Sequence, residues 1–248
     1  MIYIDVSAEL AQFRNFFYNS SVVSYPFFPR SSILGLLASF LGKEHDSYYE
    51  EFKNSQVGLC LKTPITKELK TLNFIKTDIF MTSGKYNFHS QKKMEYIRSA
   101  NEERLTYRIF YEGENEEEIL QAINRGDGYL RYMGTTECLA DIDSYEKVDY
   151  QELSGGQKYY IDSIIPIDII AGLEFDDEKG FFHYEKNRAV YGFRDGRESL
   201  GVVDILTETK RLQILATLKE NLSFEVSDVL TINGRLIQTH NKEIVYVF

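Results

Sequence analysis

The sequence predicts an α+β fold, with strands and helices mixed in the first half of the chain and mainly strands in the second half. Strand-like runs alternate with helix-like runs as far as about residue 144. Beyond residue 145 the runs are short, β-branched and separated by turn residues. The chain has 248 residues, 43% of them hydrophobic, which is enough for a substantial core. We therefore expect two parts, residues 1–144 and residues 145–248.

The first part opens with a predicted strand and a predicted buried helix. IYIDVSA, at residues 2–8, has the β-branched and aromatic content of a strand. The prolines of SYPFFPR then disfavour regular structure, because proline fixes φ. A helix is expected from Ser31 or Ser32, either of which can cap it, to Gly42, a residue type common just after a helix. Since this helix is apolar on nearly all sides, it must be buried on most of its faces.

A short helix, a strand and an insertion follow. Ser47 and Glu50 have the spacing of a capping box, which predicts a helix over residues 48–54. VGLCLKTPI predicts a strand over residues 57–65. Residues 66–103 begin like a strand, but most of them are polar, basic and aromatic without a clear period. We expect this segment to be a protruding insertion.

Three further elements complete the first part. RLTYRIFYEG alternates like a strand over residues 104–113. NEEEILQAINRG has acidic residues in its first turn and Gly126 at its end, both of which are helix signals. YLRYM predicts a strand over residues 129–133. The order β-α-β-insertion-β-α-β is that of a ferredoxin-like unit, four antiparallel strands covered by two helices.

The second part is predicted to be mainly β. Asn233 and Gly234 lie between two apolar runs, which is a strong local signal for a hairpin. HNKEIVYVF predicts a terminal strand. KRLQILATLKE, at residues 210–220, predicts one short helix.

The distribution of charge narrows the class of function. A formal charge of -10 argues against a protein that coats nucleic acid indiscriminately, because such binding needs many cations. The run from Leu10 to Lys43 nevertheless contains no Asp or Glu, and its charged residues are Arg14, Arg30 and Lys43. We therefore expect something anionic to bind near this run.

Other features bear on location and cofactors. The first residues lack the basic region of a secretory signal, and the longest apolar run is shorter than a bilayer span, so we expect a cytoplasmic protein without membrane contact. Cys60 and Cys138 lack metal-ligand spacing and are predicted to be small buried residues, which argues against a zinc site. No glycine motif has the context of a nucleotide site, and no cofactor is predicted.

Two groups of residues suggest contacts with RNA. The first surrounds the start of the predicted buried helix, where the positive end of the helix dipole and nearby arginines favour a phosphate. Its members are Arg14, Tyr25, Arg30, Ser31 and Ser32. The second lies in the insertion, where cations alternate with rings on which unpaired bases can stack. Its members are Lys85, Tyr86, His89, Lys92, Lys93 and Arg98.

Each group also has a structural interpretation, and a catalytic one remains open. The first group fits a hydrophobic segment whose few arginines face water, and the second fits a solvated loop anchored by its rings. His89 could instead move a proton in metal-independent RNA cleavage, with Lys92 and Lys93 stabilising the developing charge. The other histidines show no triad or metal-ligand spacing. A metal-independent endoribonuclease and a purely structural interaction protein therefore stand as alternatives.

Several segments together carry a resemblance to a known family. They are the first strand, AQFRN, SYPFFPRSSILGLLASFLG and YLRYMGTTECLADI. These segments resemble the CRISPR-associated Cas-five family of the RAMP superfamily. In type I Cascade complexes this subunit caps the 5′ handle of the CRISPR RNA (crRNA). The match is densest over residues 1–42 and 129–142.

The resemblance implies a fold, partners and site residues. It implies a ferredoxin-like core with a thumb-like insertion, bound to the crRNA 5′ handle, to the backbone-forming and large Cascade subunits, and near target DNA at its PAM-proximal end. Carried over, Arg14 and residues 25–32 become candidates for the handle or a neighbouring subunit, and Gly134, Thr135 and Thr136 a turn near the same surface. One subtype processes its guide with Tyr, Lys and an adjacent His. This chain has no adjacent Lys and His, which favours a non-catalytic, type I-B-like subunit in antiviral defence.

Overall fold

The computed structural model of the chain describes residues 1–18, 22–75, 89–101, 103–176, 178, 180–227 and 230–248. Within these residues the secondary structure is mostly β with two α-helices, so the predicted α+β class is confirmed in its mainly β form. None of the helices in the described part of the chain is long and apolar enough to cross a bilayer.

The elements follow one another in two groups. The first half contains β1 (Ile2–Ala8), α1 (Arg30–Phe40), β2 (Gln56–Leu61), β3 (Ile65–Ile75), β4 (His89–Ser99), β5 (Leu105–Glu112), α2 (Glu116–Arg125) and β6 (Ala140–Lys147). The second half contains β7 (Tyr150–Leu153), β8 (Lys158–Ile161), β9 (Ile165–Pro166), β10 (Ile170–Glu174), β11 (Tyr184–Val190), β12 (Phe193–Arg194), β13 (Glu198–Ser199), β14 (Val202–Glu208), β15 (Ile214–Leu218), β16 (Ser223–Ser227), β17 (Leu230–Asn233), β18 (Arg235–Thr239) and β19 (Ile244–Val247). Single 3₁₀ turns occur at Ile167–Ile169 and Asp195–Arg197.

A four-stranded antiparallel sheet organises the first half. Its strand order is β2-β5-β1-β6, and β1 pairs with both β5 and β6. The helices α1 and α2 lie in the connections from β1 to β2 and from β5 to β6. The helix predicted to end at Gly42, the helix predicted to end at Gly126 and the strand predicted at residues 2–8 are therefore observed, and the strand predicted at residues 104–113 is β5.

The two faces of this sheet are buried against different parts of the chain. Ile2, Ile4 and Val6 of β1 belong to the large core that also contains α1. Tyr3 belongs to a second core with Val245 and other residues of β18 and β19. Because successive side chains of a strand point to opposite faces, β1 is buried on both sides. The C-terminal strands thus cover the face that the helices leave open.

The helix α1 is nearly enclosed, as its apolar sequence predicts. Its N-cap residue is Pro29, the preceding loop ends in extended backbone, and no side chain caps the first turn. Gly42, just after the helix, has φ 63°, which few other residues adopt without strain. The expected capping by Ser31 or Ser32 is wrong, because the helix begins one residue earlier, at Arg30.

The predicted insertion contains a long hairpin. β3 and β4 pair over eleven positions, from Ile65 opposite Ser99 to Ile75 opposite His89. Residues 76–88, which include Lys85 and Tyr86, lie outside the described residues. The polar run before Ser99 is a strand despite its lack of alternation, because β3 supplies a complete ladder of hydrogen bonds.

Two local predictions fail in the first half. Residues 48–54 form turns, because the hydroxyl of Ser47 donates to the main-chain oxygen of Glu44 and does not cap a following helix. Residues 129–133 form a loop in which Met133 is buried, and the strand that completes the sheet is β6. The acidic sequence of β6 gives little strand signal, since only part of its surface is buried.

Two further predictions fail in the second half, where the mainly β character is otherwise observed. Residues 214–218, within the predicted short helix, form β15, which is held between β8 and β10. Asn233 and Gly234 join two different sheets and do not turn a hairpin, because β17 pairs with β16 whereas β18 pairs with β7 and β19. Gly234 is required by packing, since a Cβ there would lie 1.9 Å from the hydroxyl of Tyr246. The predicted terminal strand is β19.

An ion-pair cluster between β11 and β14 makes stability depend on pH. Asp204 accepts hydrogen bonds from Arg188 and Lys186, which lower its pKa to about 2. Because this pKa is lower in the folded chain than in the unfolded one, the stabilisation is present at neutral pH and lost as the pH falls from about 4 to about 2. We expect Asp204→Asn to reduce the free energy of unfolding by about 1 kcal/mol at neutral pH, since Lys186 and Arg188 are largely exposed. Urea denaturation at pH 7 and pH 3 tests this, and an equal difference at both pH values would contradict it.

Candidate nucleic-acid interface

A groove of about 860 Å³ brings together residues from four separate segments of the chain. These segments are the loop after β1, one side of α1 with the turns that follow it, the loop at residues 129–135, and residues near β12. Of the residues predicted from sequence, five line it: Arg14, Ser31, Ser32, Gly134 and Thr135. The groove therefore joins three members of the first predicted group to the predicted turn at Gly134.

Arg14 is presented by a rigid piece of backbone. Bridges and main-chain hydrogen bonds hold its segment against residues 23–25, including Arg14 opposite Ser24 and Tyr25 N–H to the Phe13 oxygen at 2.8 Å. Its side chain is exposed and has no ion-pair partner among the described residues. Arg14 is thus a free cation on a fixed support.

The N-terminal turn of α1 adds a positive end to the same groove. Ser31 and Ser32 are half-buried there, and the first turn carries no acidic residue. An uncompensated helix N-terminus favours negative charge, although the effect extends over one turn only. The serines place hydroxyls beside it, which can donate to an acceptor.

The loop at residues 129–135 closes one side of the groove. Tyr129 N–H donates to the Ser39 oxygen at 2.9 Å, which fixes the loop to α1. Gly134 has φ 91°, and a Cβ there would lie 1.9 Å from the Gln12 oxygen. This close approach explains why the turn needs glycine, and Thr135 follows it with its hydroxyl 3.5 Å from Cys138 Sγ.

Exposed rings and further cations line the groove as well. Phe16 and Tyr129 are both more than half exposed, and Tyr132 is 40% exposed. The ring centre of Phe193, in β12, lies 6.3 Å from that of Phe16. The second half of the chain therefore contributes to the lining of the groove. The cations are Lys43, Arg131 and Arg197 in addition to Arg14. Sequence reasoning missed most of these residues. YLRYM contains rings and a cation, but the same residues also predict a strand, which hides their place in a site.

Two cations of the groove already have acidic partners. Lys43 pairs with Glu51 at 2.9 Å, and Arg197 pairs with Asp46 at 2.7 Å. Asp46 also accepts from Tyr49, and although burial opposes the shift, these hydrogen bonds lower the pKa of Asp46. Among the described residues, Arg14 is consequently the groove's most available cation.

The structure removes two predicted residues from this surface. Arg30 is buried, and its guanidinium donates to the main-chain oxygens of Ser55 at 2.6 Å and Phe248 at 3.4 Å. Tyr25 is buried as well, its hydroxyl donates to the Arg188 oxygen at 2.8 Å, and burial raises its pKa to about 12. Both side chains stabilise the core, so the prediction that they contact RNA is corrected.

The described members of the second predicted group lie on β4, outside the lining of the groove. Lys92, Lys93 and Arg98 are exposed, with Arg98 paired to Glu68 at 3.3 Å and the Lys92 ammonium 5.6 Å from the centre of the Phe74 ring. Because neighbouring side chains on a strand point to opposite faces, Lys92 and Lys93 serve different sides of the hairpin. His89 is the first residue of β4, and Lys85 and Tyr86 are not among the described residues.

Main-chain contacts join this hairpin to the Arg14 segment. Ala11 and Ile97 exchange two hydrogen bonds of 2.8 Å, and Glu95 N–H donates to the Val22 oxygen at 2.9 Å. The Glu95 side chain accepts a hydrogen bond from the N–H of Ser24, the residue bridged to Arg14. The basic strand and the groove thus share one supporting segment.

In the described parts of the chain, no three His, Cys, Asp or Glu side chains come together as metal ligands would.

Comparison with known proteins identifies the family. A search of curated proteins finds no match. The family model described as CRISPR-associated protein (Cas_Cas5) matches residues 1–202. The chain belongs to this family. The resemblance inferred from the sequence is therefore confirmed, and the match extends well beyond the segments that first suggested it.

Solved structures share the fold of this CRISPR-associated protein at low sequence identity. A CRISPR protein from Archaeoglobus fulgidus has a TM-score of 0.60 and 15% identity over 99% of both chains. A chain of a CRISPR RNA-guided surveillance complex has a TM-score of 0.50 and 12% identity over 88% of this chain and 92% of its own. A chain of a Type III-B Cmr-beta complex bound to cognate target RNA and AMPPnP has a TM-score of 0.52 and 12% identity over 87% and 86%.

Proposed function

We propose that this CRISPR-associated protein is a non-catalytic RNA-binding subunit of a type I effector complex, Cascade, and that it holds the 5′ handle of the crRNA. The observation that carries the proposal is the groove that joins Arg14, Ser31, Ser32, Gly134 and Thr135 to further cations and exposed rings. Arginines can hold phosphates and rings can stack on unpaired bases, which is how single-stranded RNA is usually bound. The basic hairpin beside the groove extends this surface.

The topology supports a finer description of the fold. We infer that β1, β2, β5 and β6 with their two helices form a ferredoxin-like RAMP unit, and that the insertion at residues 66–103 is thumb-like. The antiparallel order β2-β5-β1-β6 and the place of each helix in the chain support this inference.

The partners follow from the same proposal. They are the crRNA 5′ handle, the backbone-forming subunit and the large subunit of a type I-B-like complex, with target DNA nearby at its PAM-proximal end. The family and the fold shared with a chain of an RNA-guided surveillance complex support these partners. The many acidic residues elsewhere on the chain repel RNA phosphates, which disfavours non-specific binding outside the groove.

We also propose that binding is not followed by cleavage. Among the described residues, His45 is the histidine that lines the groove, and both of its ring nitrogens have partners. Its Nδ1 is 3.0 Å from an oxygen of Asp46, and its Nε2 is 2.8 Å from Arg197. A histidine engaged on both sides is poorly placed to take a proton from a 2′-hydroxyl. CRISPR repeat RNA incubated with the purified protein and a chelator should therefore stay intact, and a specific cut within the repeat would overturn this part of the proposal.

The binding proposal is tested with a 3′-labelled single-stranded RNA that begins with the repeat-derived handle. We expect Lys92→Gln/Lys93→Gln to weaken its binding and to reduce the slope of log affinity against log salt by up to about 1.4, or about 0.7 for each phosphate that is no longer neutralised. Arg14→Gln should reduce the slope further, because Arg14 lines the groove. Fluorescence anisotropy over a range of salt concentrations gives both quantities.

A matched variant controls for net charge. Lys219→Gln also removes an exposed lysine, but from the acidic second half of the chain, so its affinity and slope should stay near those of the unmodified protein. If all of these variants bind with the same affinity and the same slope, the groove and the hairpin do not bind RNA. The protein would then be a purely structural subunit.

A further inference from the structure

Two residues that line the groove each have a hydrogen-bond donor that is shielded from solvent and has no partner among the described residues. The donors are Nε2 of Gln12 and Nε of Arg131. Both residues line the groove, and Gln12 is only 1% exposed. A buried donor without an acceptor is destabilising and is rare in folded proteins, so two of them in one groove call for an explanation.

The backbone keeps Gln12 in place despite this cost. Its own N–H donates to the Met133 oxygen at 3.1 Å, and the residues on either side are bound as well. Ala11 exchanges two hydrogen bonds with Ile97, and Phe13 N–H donates to the Ser24 hydroxyl at 3.0 Å. Gly134 packs against the Gln12 oxygen from the other side. An apolar residue at this position would fit the same backbone without leaving a donor unpaired.

Arg131 is fixed with comparable precision. One of its terminal nitrogens, Nη2, donates to the Asp127 oxygen at 2.6 Å, and its guanidinium carbon lies 4.9 Å from the centre of the Phe40 ring. The ring and the carbonyl hold the guanidinium plane and leave Nε for a third contact. Two residues that line the groove therefore carry positioned donors, one neutral and one cationic.

The chemistry around these donors indicates what they bind. Donors without acceptors require a ligand that supplies acceptor oxygens, and nucleotides supply them on phosphates and on base carbonyls. A carboxylate of a protein partner offers similar oxygens. The exposed rings of Phe16, Tyr129 and Tyr132 in the same groove favour RNA, because bases stack on such rings.

We propose that Gln12 and Arg131 form a donor pair that binds an acceptor oxygen of one nucleotide of the RNA and so fixes the register of the strand in the groove. The proposal rests on the RNA-binding function proposed above and adds two specificity residues to it. The lysines of β4 bind the backbone at any position, whereas the donor pair accepts one nucleotide in one orientation.

The principal test is Gln12→Met, which keeps the length of the side chain and removes the amide. We expect affinity for the handle RNA to fall about 10- to 100-fold, as for the loss of a hydrogen bond to a charged or buried acceptor. The melting temperature should stay the same or rise, because a buried unpaired donor is removed. Gln121→Met is the matched control, since Gln121 is exposed on α2 outside the groove, and it should leave affinity unchanged.

A second variant keeps the proposal testable if Gln12→Met does not fold. Arg131→Lys retains the charge but lacks an Nε–H, so affinity should fall while the salt slope stays the same. Two sets of modified RNAs then locate the acceptor. Methylphosphonates replace single phosphates, and abasic sites remove single bases. In one of the two sets, one position should weaken binding to the unmodified protein and have no further effect on Gln12→Met.

Each result has a distinct meaning. If Gln12→Met lowers the melting temperature and leaves affinity unchanged, the amide has a structural role and the donor pair is rejected. If Gln12→Met weakens binding of a protein subunit but not of RNA, the donors serve a carboxylate and the proposal is overturned. If the Lys92→Gln/Lys93→Gln variant binds RNA weakly while Gln12→Met and Arg131→Lys bind normally, the RNA-binding function stands and only this inference fails.

Discussion

Arg108→Met is expected to lower the free energy of unfolding by about 3 kcal/mol, near the lower end of the range for breaking a buried ion pair. Arg108 donates to both oxygens of Asp5 at 2.7 Å and to Glu243 at 2.8 Å. Its side chain is only 12% exposed, and both carboxylates are buried to a similar extent. Without the guanidinium, two acidic groups would remain close together in a region that water hardly reaches.

Because of the position of Arg108, its loss should destabilise both halves of the chain. Arg108 lies on β5, Asp5 on β1 and Glu243 just before β19, so the cluster joins the first sheet to the C-terminal strands. Its guanidinium also packs 4.0 Å from the centre of the Tyr3 ring. The hydroxyl of Ser144 still donates to Asp5, and Lys62 still pairs with Glu243, which is why we expect a loss near the lower end of the range.

The measurement is urea denaturation of the full chain. Arg194→Met is the matched control, because Arg194 pairs with Glu198 at 3.1 Å on an exposed surface and should contribute less than about 1 kcal/mol. Arg108→Met/Asp5→Asn should recover part of the loss, since one of the two uncompensated charges is then absent. Equal midpoints for Arg108→Met and Arg194→Met would show that the cluster does not hold the two parts together.

Local signals were sufficient for the elements whose ends they mark. The helix α1 follows from an apolar run between Pro29 and Gly42, and α2 from three acidic residues before an amphipathic run that ends at Gly126. Gly126 has φ 71°, as a helix end of this kind requires. In such cases the residues that form the element also contain the information that ends it.

Tertiary pairing decided the elements that sequence reasoning misjudged. The sequence of β15 predicts a helix because KRLQILATLKE is rich in helix formers, yet its neighbours β8 and β10 supply strand partners. The sequence of β6 resembles a loop because it is acidic, yet it completes the ladder of β1. In both cases the stabilising contacts lie far away in sequence, so no local pattern indicates them.

In the candidate site, too, some residues can be predicted from the local sequence and others depend on distant contacts. Arg14 and the serines of α1 are visible in the sequence, because a basic run in an acidic chain stands out. Gln12, Phe193 and Arg197 are not visible, since ordinary polar and aromatic residues become part of a site only when distant loops meet. The sequence likewise cannot show that Arg30 faces the core, because that depends on carbonyls of Ser55 and Phe248.

Arg30→Met should therefore affect folding and not the binding of RNA. We expect it to lower the free energy of unfolding by about 2–3 kcal/mol, because the buried oxygen of Ser55 loses a charged donor. The guanidinium also lies 4.4 Å from the centre of the Tyr191 ring, a contact that methionine replaces only in part. Removal of the cation offsets some of this loss, since burial lowers the pKa of Arg30 and thus disfavours its charge.

Arg30→Lys separates the two roles. Lysine keeps the positive charge, but it cannot reach Ser55 and Phe248 together with a planar fork, so a substantial part of the stability should still be lost. If Arg30 held a phosphate, lysine would largely preserve the salt slope of RNA binding, and methionine would reduce it by about 0.7. We expect the slope to be the same in both variants when measured well below their melting temperatures. A smaller slope in Arg30→Met alone would return Arg30 to the RNA-binding surface, because a side chain that only packs in the core releases no counterions.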